Sequence, residues 1–434
     1  MKKSLTTIVL VLLSMMAVAQ DENQLTVDAQ LRTRGEYNNG ALSPRYEGES
    51  PATFINERAR LSVGWQRRNL ELKISAQHTG VWGQDDIKDR NGRVAMNEAW
   101  AKLKFGEGFF AQIGRQQLSY DDERILGGLD WNVAGNWHDA LKVGYENDAN
   151  RLHLILAMNS GAENIRGNYY TGNMPYKNMQ TLWYHYQSSK APLGLSLMIM
   201  NLGRESGVVD HAKTKYMQTL GTDITFRPNR LELHGAFYYQ TGKTPGNLKV
   251  NALMASAKAA VNLDERFKVS AGYDFLGGED YESAGTTYDG VPYIIKADAG
   301  KTRAFNPLYG THHKFYGSMD YFYASPFVNG LACGLQDIQA GVDFKISPRV
   351  GMQLNYHYFL TASDILVTDG KGLGHELDYQ LTAKLMKDVT LMAGYSIMRG
   401  TETMDAVKGG NHKSWQDWAF IQLNINPRLF TTKW

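Results

Sequence analysis

Apolar and polar residues alternate at every second position in segments that recur along almost the whole chain. Within residues 25–34, Leu25, Val27, Ala29 and Leu31 share one face, and the residues between them are mostly polar. The same alternation recurs in residues 59–65, 70–76, 152–158, 193–199, 231–239, 267–275, 338–346, 350–360, 377–385 and 389–397. Successive side chains of a strand point to opposite faces, so the pattern predicts strands with one apolar and one polar face. No helical period competes over a comparable length, and we expect an all-β fold.

Two kinds of connection alternate between these segments. The short ones carry turn residues and span 67–69, 106–108, 146–150, 188–192, 227–229, 264–266, 347–349 and 387–388. The long ones span roughly 38–53, 80–93, 119–137, 160–179, 204–215, 243–248, 276–335, 361–373 and 400–414. Eight short and nine long connections join eighteen strands and leave both termini on the short-turn side. Bacterial outer-membrane β-barrels are built in this way, with short periplasmic turns, long extracellular loops and an even strand number.

The even strand number depends on one aromatic stretch, "HKFYGSMDYFYASPF" at residues 313–327. This stretch must belong to a long loop, because the parity fails if it forms a barrel strand. We therefore predict one transmembrane antiparallel barrel over residues 20–434, in which residues 276–335 form a large loop able to fold into the lumen.

A soluble sandwich or propeller is the alternative, because alternating strands occur in those folds too. Aromatic residues near the strand ends favour the barrel, since aromatic rings gather at membrane interfaces. They are Trp65, Trp82, Tyr145, Tyr239, Tyr273, Tyr356, Tyr358, Tyr395 and Trp418, and the chain ends on Trp434.

The first residues have the pattern of a secretory signal. Lys2 and Lys3 precede an apolar run over residues 5–18, which ends in the small-residue sequence Ala17-Val18-Ala19. We assign residues 1–19 to a cleavable signal peptide and expect export to the cell outer membrane. The single cysteine, Cys333, cannot form an intramolecular disulfide, and a net charge of +2 points to no particular partner.

Four arginines are predicted to meet in the interior. If the apolar face meets lipid, the polar face lines a water-filled lumen and its charges set selectivity. Arg32 and Arg34 face inward from the first strand, and Arg58 and Arg60 face inward from the second. Adjacent strands lie about 4.8 Å apart, so these side chains are expected to form one patch. Guanidinium groups bind carboxylates and phosphates with paired hydrogen bonds, which suits an anionic solute.

A structural role for this patch is equally open at this point. Lumen arginines also pair with acidic neighbours such as Glu36 and Glu57 and thereby hold the wall in shape. The fourth strand adds Glu98 and Lys102 to the inward face. Inward-facing tryptophans, Trp100 and Trp183, suit either the stacking of a sugar or plain packing.

Other chemistry has weak support in the sequence. Acidic loop residues offer calcium ligands without the spacing of an EF-hand, and adjacent histidines in a loop are usually polar surface. No arrangement of nucleophile, base and orienting group is recognisable, and no basic stripe suits a nucleic acid. We predict no enzyme, no cofactor, no metal site and no nucleic-acid partner. The residues considered were Asp85, Asp86, Asp89, Asp121, Asp122, Glu123, His138, Asp139, His312 and His313.

One long stretch resembles a known family. Residues 97–143 contain "NEAWAKLKF", then "GRQQLSYDDERILGGLDWN", then "HDALKV". They resemble the alginate-export porin family, which carries an E-A-hydrophobic strand, then GRQ…Y-G-D-x-R and DW, then FDA. "AFNPLYGTHHKFYGSMDYF", residues 304–322, is similar to that family's F-x-P…HKFYG-x-x-D segment. Asp121 stands where the family usually has glycine, and His138 where it commonly has an aromatic residue.

The resemblance implies an eighteen-stranded outer-membrane barrel that passes an anionic polysaccharide outward with periplasmic partners. The implied site residues are Glu98, Arg115, Arg124, Asp130 and Asp139, joined by Arg32, Arg34, Arg58 and Arg60. Arg115 shares the parity of Ile113, which faces lipid, so either a bulge turns it inward or the strand lies above the membrane there. Arg124 and Asp130 are expected to form a charge-paired constriction near the mouth.

We therefore predict a passive outer-membrane channel for anionic solutes, with alginate or another uronate polymer as the leading substrate class. The pathway is expected to include Lys102, and the partners are outer-membrane lipid, the anionic solute and periplasmic export or uptake proteins. A general or oligosaccharide uptake porin with structural arginines is the first alternative. A surface adhesion or structural barrel with a plugged lumen is the second.

Overall fold

The computed structural model describes most of the chain after the predicted signal peptide, residues 1–19, which lies outside the described residues. The described residues are 22–86, 93–163, 165–167, 169–170, 172, 174–206, 212–286, 292–296, 300–322, 332–365 and 368–434.

Eighteen antiparallel strands form the wall, as the alternation predicts. They are β1 (Gln24–Asn39), β2 (Ala52–Arg67), β3 (Leu70–Val81), β4 (Val94–Phe105), β5 (Phe109–Gln116), β6 (His138–Glu146), β7 (Asn150–Met158), β8 (Asn178–Gln187), β9 (Leu193–Ser206), β10 (Lys213–Phe226), β11 (Leu231–Lys243), β12 (Lys249–Asn262), β13 (Phe267–Leu276), β14 (Leu335–Ser347), β15 (Val350–Leu360), β16 (Gly372–Met386), β17 (Val389–Gly400) and β18 (Gln416–Ile425).

The wall closes because the last strand pairs with the first. Strand β18 runs antiparallel to β1, from the pair Leu31 and Ile425 to the pair Asn39 and Asp417. The segment Arg428–Lys433 continues this pairing along the start of β1. A closed sheet leaves no row of unpaired backbone groups, which is what a lipid environment requires.

The connections confirm the predicted alternation of eight short turns and nine long loops. The first strand therefore begins, and the last strand ends, on the short-turn rim. The stretch that decides the parity is not a barrel strand in its described part. Residues 313–322 form turns, and the wall passes directly from β13 to β14.

The two faces of the wall differ as the parity predicts. On β5, Ile113 is 59% exposed and Phe109 57% exposed, whereas Gln112 between them is 7% exposed. Exposed tyrosines such as Tyr186 and Tyr216 lie near opposite rims. The prediction for Trp418 is wrong, since it is 4% exposed and packs in the core inside the lumen. An apolar outer face flanked by aromatic rings is the pattern of a barrel in a lipid bilayer.

Two long loops fold into the space enclosed by the strands. We call residues 117–137 inner loop A and residues 303–322 inner loop B. Their backbones pair between Leu126 and Tyr309, and Gly127 N donates to Tyr309 O at 3.0 Å. Leu126, Phe305 and Met319 are at most 2% exposed and form a core with inward side chains of the wall. The hydrophobic core of the protein therefore lies inside the lumen. Burial of each such side chain stabilises the fold by about 1.5–3 kcal/mol.

The other elements are small. They are the paired strands Tyr281–Thr286 and Pro292–Lys296, the strand Lys301–Thr302 beside β12, the 3-10 turn His312–Lys314 and the helix Glu402–Lys408. Thr401 caps this helix, since its Oγ1 accepts the Met404 N–H at 3.2 Å. Within the described part of the chain, no helix has the length and apolar character needed to cross a membrane.

Candidate functional site

The first attachment of inner loop A is to the arginines of β1 and β2. Arg32 Nη1 donates to the Asp130 carbonyl at 2.5 Å, and Arg58 Nη2 donates to Asp130 Oδ1 at 2.7 Å. Arg34 Nη1 donates to the Trp131 carbonyl at 2.9 Å, and its guanidinium lies 3.9 Å from the Trp131 ring centroid. These buried arginines therefore hold residues 130 and 131 of inner loop A against the wall.

The predicted patch exists as a set of neighbours, since Arg32 and Arg58 are paired across β1 and β2. Arg34 pairs with Glu36 at 2.7 Å, and for the other three arginines the positive charge exceeds the negative charge. Arg32 and Arg58 both contact the carboxylate of Asp130, whereas Arg60 Nε and Nη2 donate to the amide oxygen of Gln77 at 2.9 and 2.6 Å. Three guanidinium groups thus have one carboxylate in direct contact.

A solvent-filled cavity of about 550 Å³ opens beside this patch, toward the short-turn rim. Its charged lining residues are Arg58, Arg60, Lys73, Arg428, Asp28, Asp130 and Asp388. The Asp130 side chain is 71% exposed, so its carboxylate is accessible from this water-filled space.

The second attachment of inner loop A is Arg124, whose side chain is 1% exposed. Its Nη2 donates to Asp274 Oδ1 at 2.9 Å and its Nε to Asp122 Oδ2 at 2.6 Å. The guanidinium also lies 4.2 Å from the ring centroid of Phe315 in inner loop B. Burial lowers the pKa of Arg124, but Asp274 and Asp122 outweigh it and raise that pKa well above its usual value. Arg124 therefore stays charged and joins both inner loops to β13. The expected charge pair between Arg124 and Asp130 is wrong, because Asp130 pairs with the arginines of β1 and β2 instead.

The third attachment lies at the base of inner loop A, on the outer face. Arg115 binds Asp139 with two hydrogen bonds, of 2.9 and 3.0 Å, and both side chains have the parity of Ile113. No register shift interrupts the pairing of β4 with β5, so no bulge turns Arg115 inward. We leave Arg115 and Asp139 out of the proposed solute pathway, because they face away from the lumen.

Glu98 and Lys102 lie on the inner face of β4, as predicted. Glu98 forms an ion pair with Lys73 and accepts the Trp100 indole N–H at 3.1 Å. Lys102 Nζ lies 4.0 Å from the Phe110 ring centroid and 3.9 Å from Glu146 Oε2. Both are wall residues, and among the described residues neither forms a hydrogen bond or an ion pair with the four arginines or with inner loop A.

Two further cavities, of about 560 and 510 Å³, lie below the inner loops along β6 to β15. The cations that line them were not singled out from the sequence: Lys142, Arg151, Arg227, Lys258, Lys268 and Lys314. For the strand residues a usable signal existed, because Lys258 shares the inward parity of Ser256 on β12. Asp274, which binds Arg124, was also missed. No local pattern connects two residues 150 positions apart.

The residues considered for other chemistry have other partners. His138 faces inward and hydrogen bonds to Tyr176 at 2.7 Å, whereas Asp139 faces outward, so the two form no catalytic pair. His313 pairs with Asp320 at 2.9 Å and stacks on Trp131. Asp85 pairs with Arg93 at 2.8 Å. Asp89 lies outside the described residues.

The three acidic residues at positions 121–123 of inner loop A have different partners. Asp121 accepts the Trp183 indole N–H at 3.1 Å, and Glu123 accepts the Ser119 hydroxyl at 2.6 Å. Asp122 pairs with Arg124. Burial above all, together with the charges of Asp223 and Asp122, raises the pKa of Asp121 to about 6.

Sequence comparison finds one family. Residues 23–365 match the model of the family described as alginate export. None of the curated proteins compared with this chain is similar to it in sequence.

Solved structures of similar fold cover nearly the whole chain. Acinetobacter baumannii OccAB4 has 12% identity and a TM-score of 0.57, covering 94% of this chain and 98% of that chain. Pseudomonas aeruginosa OpdO has 14% identity and a TM-score of 0.58, covering 93% and 98%. Pseudomonas aeruginosa OpdK, in a structure with vanillate, has 10% identity and a TM-score of 0.57, covering 96% and 100%. At these identities the likeness concerns the fold. Family and fold are those of outer-membrane channels rather than of enzymes, and they indicate the outer membrane.

Proposed function

Since the chain belongs to the alginate export family, we propose that it is a passive outer-membrane channel that is selective for anionic solutes. The leading substrate class is an anionic polysaccharide or oligosaccharide such as a polyuronate. The solute crosses the cavity beside the β1–β2 arginines.

One observation carries this proposal. Arg32, Arg58 and Arg60 have one carboxylate, Asp130, in direct contact, and Arg58 and Arg60 line a cavity of about 550 Å³. Among the described residues, Arg60 is the one of the three without a carboxylate in direct contact, and as a cavity-lining guanidinium it attracts carboxylates, which such groups bind with paired hydrogen bonds. Vanillate, present in the solved structure of OpdK, is also a carboxylate, so a barrel of similar fold has been solved with a solute of this class.

The residues divide into two roles under this proposal. Arg60 binds the solute, Lys102 with Glu98 shapes the wall of the pathway, and Arg58 holds inner loop A through Asp130. Arg32, Arg34 and Arg124 position inner loop A, and Asp130 tunes the charge at the narrowing.

A general or oligosaccharide uptake porin is the second candidate. It is favoured by the hydrogen bonds of Arg32 and Arg34 to backbone carbonyls of Asp130, Trp131 and Asn132. Arginines occupied in this way hold a loop in place and contribute little to the choice of solute.

Planar-bilayer recording separates the two candidates. In a salt gradient, the reversal potential of the wild-type channel should report anion preference, and Arg60→Gln should reduce that preference. Arg115→Gln is the matched control, because it removes the same charge from the outer face. A reversal potential that Arg60→Gln leaves unchanged would contradict the anion pathway and support the uptake porin.

Polymer block then tests the substrate class. A polyuronate should interrupt the wild-type current at concentrations where a neutral oligosaccharide of equal length does not. Block by the neutral oligosaccharide at concentrations where the polyuronate does not block would support the uptake porin. A barrel that conducts no current in any preparation would instead support a surface protein with a plugged lumen.

A further inference from the structure

Three side chains that can ligate a metal ion meet in the lumen wall, away from the arginine patch. They are Asp122 of inner loop A, Asp223 of β10 and His234 of β11. His234 Nε2 lies 2.6 Å from Asp223 Oδ2 and 3.8 Å from Asp122 Oδ2, and the three donor atoms all lie within 4.8 Å of one another. In the described part of the chain this is the one group of three or more such side chains with that spacing. Both carboxylates therefore converge on a single imidazole nitrogen.

The fold brings these groups together in two steps. Asp223 and His234 lie on neighbouring strands, where Asp223 is paired with Ala236, two residues beyond His234. Asp122 reaches them because Arg124 orients its carboxylate, donating Nε to Oδ2 at 2.6 Å and its backbone N–H to Oδ1 at 3.2 Å. Arg124 is itself held by Asp274 at 2.9 Å. Outer residues that orient a ligand in this way are a regular part of metal sites.

The group is accessible from water. Asp122 and His234 line both of the cavities below the inner loops, and their side chains are 14% and 20% exposed. An ion in the lumen can therefore reach the three donors. Three protein ligands leave a coordination position for water, as in open zinc sites.

The donor set indicates the class of ion. One imidazole nitrogen and two carboxylate oxygens suit Zn²⁺ and similar first-row divalent cations, whereas Ca²⁺ takes six to eight oxygens. We infer that Asp122, Asp223 and His234 form a binding site for a first-row divalent cation of the Zn²⁺ type in the lumen wall. The bound ion ties inner loop A to β10 and β11 and adds positive charge to the lumen. The site does not depend on the anion selectivity proposed above.

Isothermal titration of the detergent-solubilised full-length barrel tests the site. After chelator treatment, wild-type protein titrated with ZnCl₂ at neutral pH should show one saturable site per chain. His234→Ala and Asp223→Asn should each weaken binding at least tenfold. His185→Ala is the control, because His185 lines one of the same cavities and hydrogen bonds to Ser196 at 2.8 Å. It should bind Zn²⁺ as the wild type does.

Variants are compared only when they retain the heat-modifiable mobility of a folded barrel, and Asp223→Asn decides the outcome if His234→Ala does not fold. Absence of saturable Zn²⁺ binding in the wild type would overturn the inference, as would wild-type affinity in Asp223→Asn. Equal affinity for Ca²⁺ would overturn the assigned class of ion. Reversible block of the wild-type current by micromolar Zn²⁺ would support the proposed site independently, provided that the block is lost in the folded variants of its ligands.

Discussion

Arg124 in inner loop A and Asp274 in β13 form an ion pair of 2.9 Å between side chains that are 1% and 0% exposed. On its other side, the same loop is held by Arg32 and Arg58 of β1 and β2 through Asp130. Inner loop A therefore spans the lumen between two distant parts of the wall. The motif through which the chain resembles its family consists largely of these attachment points, since it contains Arg115, Arg124 and Asp130.

Asp274→Asn should release inner loop A from β13. Removing one partner of a buried ion pair costs about 3–5 kcal/mol, and we expect the lower end of that range because Asp122 stays paired with Arg124. Amide exchange in residues 117–137 should accelerate by about a hundredfold or more at that cost, and the channel current should become noisier. Asp28→Asn is the control, because its partner Arg428 is 58% exposed. Wild-type exchange rates in Asp274→Asn would show that this ion pair does not hold the loop.

Asp130→Asn should increase anion preference. The substitution removes the carboxylate that Arg32 and Arg58 share, while the hydrogen bonds of Arg32 and Arg34 to backbone carbonyls remain. The reversal potential should therefore shift in the direction opposite to that of Arg60→Gln. A shift in the same direction for both variants would mean that loop position, rather than charge, sets selectivity.

Asp121 should give the channel a pH dependence near pH 6. Its pKa is raised from 3.8 to about 6, mainly by burial, so Asp121 gains its negative charge as the pH rises through about 6. Anion preference should fall over that interval, and Asp121→Asn should lack this step. The folded state holds this proton more tightly than the unfolded state, so this group's contribution to stability is lost as the pH rises from about 4 to about 6. A pH profile of Asp121→Asn identical to that of the wild type would assign the step to another group.

Gly310→Ala should separate the two inner loops. A Cβ at Gly310 would overlap the carbonyl group of Arg124, which is backbone and cannot move aside independently. Overpacking of this kind costs about 1–3 kcal/mol, and we expect a larger single-channel conductance. Gly246→Ala is the control, since the nearest atom to its Cβ is Thr244 Oγ1 at 3.8 Å. Unchanged conductance in Gly310→Ala would show that the contact between the loops does not limit the pore.

Backbone strain is concentrated in the two inner loops, which the wall and each other hold in place. Six of the ten non-glycine residues with positive φ among the described residues lie there: Asp121, Glu123, Leu129, Leu308, Tyr316 and Asp320. Such conformations persist where surrounding contacts hold them. They are the kind of feature that strand patterning does not reveal.

Several features of the barrel were predictable because they are local. The face that each side chain occupies follows from its parity, so the eighteen strands, the eight short turns and the inward position of Arg32 and Arg58 could be derived from the alternation. The family was also predicted correctly, because its motif lies in the single stretch of residues 97–143. The model of that family matches residues 23–365. Lys258 was also predictable, because its inward parity on β12 follows from the same alternation.

The sequence by itself determined the all-β class, the strand number, the two faces of the wall and the family, because these follow from spacing and short-range pattern. Tertiary structure alone decided the partners of the charged residues. Arg115 pairs with Asp139 on the outer face, and Arg124 pairs with Asp274 inside. Ion pairing depends on distances of a few ångströms, and those distances arise only when the sheet closes and the inner loops cross the lumen.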